Sequence, residues 1–149
     1  MNFPILSTII FLPLLGAAFI FLSSQKSENK SAIYISIFTS FANLFLTIFL
    51  WYSFDKSLTG FQFIEEKNWI SGLIKFKLGI DGISILFIIL TAFITPICII
   101  SCINSVKNRL NEFLIAILIL ETFILGVFCS LDLIIFYLFF EAGLIPMFL

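Results

Sequence analysis

Histidine is absent from the 149 residues, which excludes His-ligated haem, a two-histidine zinc site and a Ser-His-Asp triad. Charge is also scarce. Only 11% of the residues are charged and 61% are hydrophobic, against about 25% and about 45–50% in an ordinary soluble domain. That composition excludes a soluble enzyme built around an aqueous cleft. Eight Lys and Arg against nine Asp and Glu leave a net charge of −1, so there is no basic surface for nucleic acid. The three cysteines, Cys98, Cys102 and Cys129, all fall inside apolar stretches and make no disulfide framework. Cys98 and Cys102 share one helix face by their spacing and read as small packing residues.

What the chain does have is long uncharged runs. Residues 1–25, 31–54 and 82–106 carry no charge, giving windows of 25, 24 and 25 residues, and a helix needs about 20 to cross a bilayer. From Phe113 to Leu149 come 37 residues with three charges, all acidic: Glu121, Asp132 and Glu141. As a single helix this stretch would be about 55 Å long, well beyond a hydrocarbon core of about 30 Å, so it divides in two. The expected architecture is an all-α integral membrane protein. It is one transmembrane domain over 1–149 with about five spans, at 3–23, 32–54, 80–103, 113–129 and 132–149. The first span lacks the basic lead-in of a signal peptide and is followed by others, so it is read as retained. Pro4 sits in its opening turn, and Pro13 and Pro96 are expected to bend the first and third spans.

Residues 55–79 form the one long connection. Phe61-Gln62-Phe63-Ile64 and Ile74-Lys75-Phe76-Lys77-Leu78 alternate apolar and polar residues, a period that fits two short interfacial strands, as in a hairpin. Asp81 and Asp132 stand at helix starts, where a carboxylate caps the backbone and suits the positive end of the dipole. The fifth span covers 18 residues, about 27 Å of helix, and the chain stops at IPMFL with no polar tail, which reads as an interrupted sequence. Four basic residues lie on each side of the membrane, so the positive-inside count is a tie. The short turns are denser in basic charge, which places them in the cytoplasm and the N-terminus outside.

Carboxylates inside spans are costly, about 2.5–3.5 kcal/mol at mid-bilayer even on the lenient insertion scale, and are functional hypotheses by default. Counted from a turn at Ser130-Leu131, Glu121 and Glu141 are each about ten residues away, or about 15 Å of helix, half the core thickness. Two antiparallel helices would bring both acids to the midplane, close enough to repel one another, and a proton relay is the natural use. A neutral Glu that only hydrogen-bonds between helices is the competing reading. Every Lys and Arg lies outside the expected spans, so a basic partner for Glu141 has to come from elsewhere.

Four stretches resemble one known family: FQFIEEKNWI at Phe61–Ile70, LGIDGIS at Leu78–Ser84, LETFILGVF at Leu120–Phe128 and SLDLIIFYLFFEAGLIPMFL at Ser130–Leu149. Together they look like the N-terminal part of NADH-quinone oxidoreductase subunit M, the chain 4 family of respiratory complex I. FFE followed by LIPM is the most specific portion. The resemblance implies the leading part of an antiporter-like fold of about fourteen helices, with inverted repeats. It also implies that Glu141 is the essential proton-translocation residue, with Glu121 in a lesser part of the same relay. The Lys that the family pairs with Glu141 would lie beyond these residues.

By the same resemblance the chain would be a proton-translocating membrane-arm subunit that couples NADH-to-quinone electron transfer to proton movement, without redox catalysis of its own. It would bind no cofactor and no metal itself; NAD, FMN, iron-sulfur clusters and quinone would be held elsewhere in the complex. Its partners would be the other membrane-arm subunits and the lipid bilayer, in the bacterial cell inner membrane or the mitochondrial inner membrane. A membrane subunit of a cation/proton antiporter and an inactive structural fragment are the alternatives.

Overall fold

Lipid offers no hydrogen-bond partner, so a long uncharged apolar segment must close its backbone bonds on itself. In the computed structural model the described residues, 4–23, 29–55, 57, 58, 60–70, 74–106 and 109–148, do so in five helices. The order is α1 (Ile5–Ser23), α2 (Asn29–Ser53), a hairpin of β1 (Gln62–Ile70) and β2 (Ile74–Ile80), then α3 (Ser84–Ser105), α4 (Leu110–Cys129) and α5 (Leu133–Met147). Helices α1 to α4 are each long and apolar enough to cross a membrane. Helix α5 has 15 residues, about 22 Å of rise, and falls short of a core of about 30 Å. The fold is all-α in its membrane part.

The third helix starts four residues later than the charge pattern places it. Ile80 is retained by the sheet, paired with Gln62, and the chain then turns through Asp81-Gly82-Ile83. Asp81 Oδ1 accepts from the Ser84 N–H at 2.7 Å, and Ser84 Oγ accepts from the Asp81 N–H at 2.8 Å. This reciprocal pair is a capping box. The Ser84 hydrogen bonds hold the Asp81 carboxyl below its ordinary value. A carboxyl whose folded value is depressed stabilises fully above its unfolded value, about pH 4, and loses that contribution as pH falls through the folded value. Asp81→Ala is expected to cost about 1 kcal/mol at neutral pH and much less in acid, measured by denaturation in detergent at both pH values.

The strands pair antiparallel, but with one extra residue in β1 between Gln62 and Glu65, where the register moves from Ile80 to Leu78. Strict alternation through Phe61–Ile64 therefore fails. Phe63 adopts a left-handed backbone, φ 53°, and the bulge exchanges the faces of the strand beyond it. The exchange turns Glu65 toward the start of α1, which has no acid of its own in its first turn. Glu65 Oε1 accepts from the Leu6 N–H at 2.8 Å, and Oε2 accepts from the Ser7 N–H at 3.2 Å and from the Ser7 hydroxyl. Backbone donors that a helix N-terminus leaves open are thus met by a residue almost sixty positions away. Glu65→Ala should destabilise the fold by about 1–2 kcal/mol, read as a lower midpoint in denaturant.

Helix α4 is the hub. It packs against α1, α2, α3 and α5, and none of its residues from Leu114 to Cys129 is exposed. Helix α5 packs on α4, with a smaller contact to β2. Under the helices, Leu78 and Ile80 of the hairpin are fully buried. The Leu131 N–H donates to Lys77 O at 3.0 Å, which docks the α4–α5 turn onto β2.

Candidate functional site

Helix α2 is inside out by the standards of a soluble helix. Its buried stripe is Ala32, Ser36, Ser40, Asn43, Thr47 and Leu50, while Tyr34, Phe38, Phe45 and Phe49 face outward. In lipid this is the arrangement expected, since small and polar side chains let helices approach while large apolar ones meet the acyl chains. Ser36, Ser40 and Thr47 donate their hydroxyls to their own helix, to Ile33 O, Ile37 O and Leu44 O at 2.8–3.0 Å. Asn43 reaches across. Its Nδ2 donates to Glu121 Oε1 at 2.8 Å.

Glu121 is 2% exposed and Asn43 fully buried, so this polar pair is sealed where α2 meets α4. Glu121 also lines a groove between α3 and α4, whose α3 wall carries Thr91, Thr95, Cys98 and Ser101. Ion pairs among the described residues lie away from it. Glu66 pairs with Lys75 at 2.8 Å on the hairpin, and Arg109 with Glu112 at 3.6 Å at the start of α4. On the hairpin that contact pulls the Glu66 carboxyl down and pushes the Lys75 ammonium up.

Glu141 is placed differently. Helix α5 meets α4 through Phe139 and Gly143, which lie against Gly126 and Phe123. Glu141, two residues from each, is on the opposite side of the helix and exposed. Tyr137, one turn earlier on the same exposed face, stands beside it. The two acids therefore do not face one another, as the antiparallel-helix expectation had them: Glu121 turns into the bundle toward α2, and Glu141 turns out. Helix rotation, which residue counting along the axis leaves open, makes the difference.

Asp132 caps α5, accepting from the Ile134 N–H at 2.8 Å and the Ile135 N–H at 3.4 Å. The cysteines are free thiols, with Cys129 buried, Cys102 half-buried and Cys98 exposed, so Cys98 does not pack inside the bundle. Sequence reasoning missed Asn43 and Glu65. The stripe Ser36, Ser40, Asn43, Thr47, at helical spacing within a charge-free span, was the signal for Asn43. Glu65 had none, because its role arises from a bulge and a contact distant in the chain.

No family model matches the sequence. Among curated proteins, subunit M of NADH-quinone oxidoreductase from Rickettsia conorii is 40% identical over 154 aligned residues, which is all of this chain and 31% of the relative. Chain 4 of NADH-ubiquinone oxidoreductase from Marchantia polymorpha is 47% identical over 97% of the chain and 29% of its own length. Subunit M from Rhodobacter capsulatus is 45% identical over 97% of the chain and 28% of its own length. The chain thus spans about three-tenths of the length of the relatives it matches. Along its own residues it is similar to the corresponding part of subunit M and chain 4 of NADH-quinone oxidoreductases.

Proposed function

We propose that these helices are the leading part of a proton-translocating membrane-arm subunit of NADH:quinone oxidoreductase, with Glu141 as the principal proton carrier and Glu121 as its accessory. The observation that carries the reading is the pair of carboxyls on adjacent apolar helices, one sealed in the bundle and the other on a helix face that none of the described residues covers. An acid kept in an apolar setting without a bound cation can be loaded and emptied of a proton by changes in what faces it. For Glu141, the outward face of α5 leaves room for a cationic side chain from further helices or from a neighbouring subunit.

Electron transfer is assigned to other parts of the complex, those that hold NAD, FMN, iron-sulfur clusters and quinone. The chain would then contribute no redox step and would assemble with the remaining membrane-arm subunits in a bacterial or mitochondrial inner membrane. The hairpin, the start of α1 and the α4–α5 turn share one side of the bundle. We place that side outside and the two short turns in the cytoplasm. The test is NADH-driven proton transport by membrane vesicles whose assembled enzyme carries Glu141→Gln. Transport equal to that of the parent overturns the reading.

A further inference from the structure

We propose that Asn43 and Glu121 form an acid–amide pair in which Glu121 is un-ionised. Asn43 Nδ2 donates to Glu121 Oε1, and the Glu121 Oε2 hydroxyl donates back to Asn43 Oδ1. Asn43 is then the positioning residue for the proton on Glu121, a role in transport that rests on the proposed function, although the pair itself does not.

Donors and acceptors at the pair do not balance if Glu121 is ionised. A carboxylate only accepts, whereas an amide offers one acceptor and two donors. The bond at 2.8 Å uses one N–H and Oε1. Two oxygens remain, Asn43 Oδ1 and Glu121 Oε2, and both are buried without a partner. Two bare acceptors cannot satisfy each other, and buried polar atoms are rarely left open. A single proton on Oε2 turns one of them into a donor and satisfies both.

Among the described residues the other buried polar side chains are spent. Each hydroxyl has one hydrogen to give. Those of Ser36, Ser40 and Thr47 on α2, Thr95 on α3 and Thr122 on α4 go to carbonyls of their own helices. The ion pairs of Lys75 and Arg109 lie on the hairpin and at the start of α4. An ionised Glu121 would keep the Asn43 N–H bond but leave Oδ1 and Oε2 open in an apolar surround. Release of the proton breaks the Oε2–H bond and leaves a carboxylate with that one donor and Asn43 Oδ1 again unpaired.

Infrared absorption of the full chain in lipid vesicles at neutral pH tests the pair, with Glu121→Gln subtracted to isolate one side chain. The difference should contain the C=O stretch of an un-ionised, hydrogen-bonded carboxyl. In Asn43→Leu the same band should move to higher frequency as Oε1 loses its donor, with the helical amide signal retained. Should Asn43→Leu fail to fold, Asn43→Ala, which removes the amide without adding a branched side chain, reads the same shift. Carboxylate bands in place of the acid band overturn the proposal, and so does an acid band that stays put when Asn43 is replaced. The band is read without turnover. Normal transport in Glu141→Gln with the expected band therefore removes the function and leaves the pair, while an unshifted band with transport lost removes only the pair.

Discussion

Glu141→Gln is expected to leave the enzyme assembled and to lower NADH-driven proton transport by about a hundredfold or more, the scale on which loss of a positioned acid or base acts. Assembly survives because α5 is seated by Ile135, Phe139 and Pro146, all buried, and Glu141 is not among its packing residues. Gln matches the shape of Glu and stays polar, but it cannot give up a proton. Quinone reductase activity should fall with transport wherever the two are coupled. Glu121→Gln, tested alongside, is expected to lose less, because its side chain is held by Asn43 inside the bundle and an amide there still bonds to an amide. Equal and complete loss in both variants would show that Glu121 carries the proton as directly as Glu141 does. Proton uptake in inverted vesicles, normalised to the amount of assembled complex, makes the comparison.

Gly126→Val is expected to produce the largest structural effect. A Cβ at position 126 would stand 2.6–2.8 Å from three atoms of the Phe139 ring, including the ring carbon nearest the backbone, so the ring cannot swing aside at its far end. Overpacking of this kind costs about 1–3 kcal/mol. Here it falls on the contact that seats α5, a helix held otherwise by its smaller contact with β2. Helix α5 should separate from α4 and carry Glu141 with it, so transport falls although no titratable group has changed. Cysteine cross-linking between α4 and α5 reads the separation. Phe139→Leu in the Gly126→Val background should restore part of both losses. A Gly126→Val protein with native cross-linking would show that α5 is held by contacts outside this chain.

The charge-free windows dictated the membrane helices, because a bilayer leaves an uncharged run of about 20 apolar residues one way to close its hydrogen bonds. The capping roles of Asp81 and Asp132 were equally legible, since a cap acts on the backbone two or three residues away. Alternation around Phe61 and Ile74 marked the strands, but the bulge at Phe63 was not visible in it: an extra residue in one strand is defined only against its partner. The same holds for Glu65, whose acceptors are filled by α1 only after the hairpin has folded back beneath it. Glu121 and Glu141 stood out because a carboxylate in an apolar run is rare and expensive. That one faces Asn43 in the bundle while the other faces away depended on how α4 and α5 rotate about their axes. That rotation is set by Gly126 against Phe139 and by Asn43 of the α2 stripe against Glu121, contacts between helices that the pattern within any one helix does not encode.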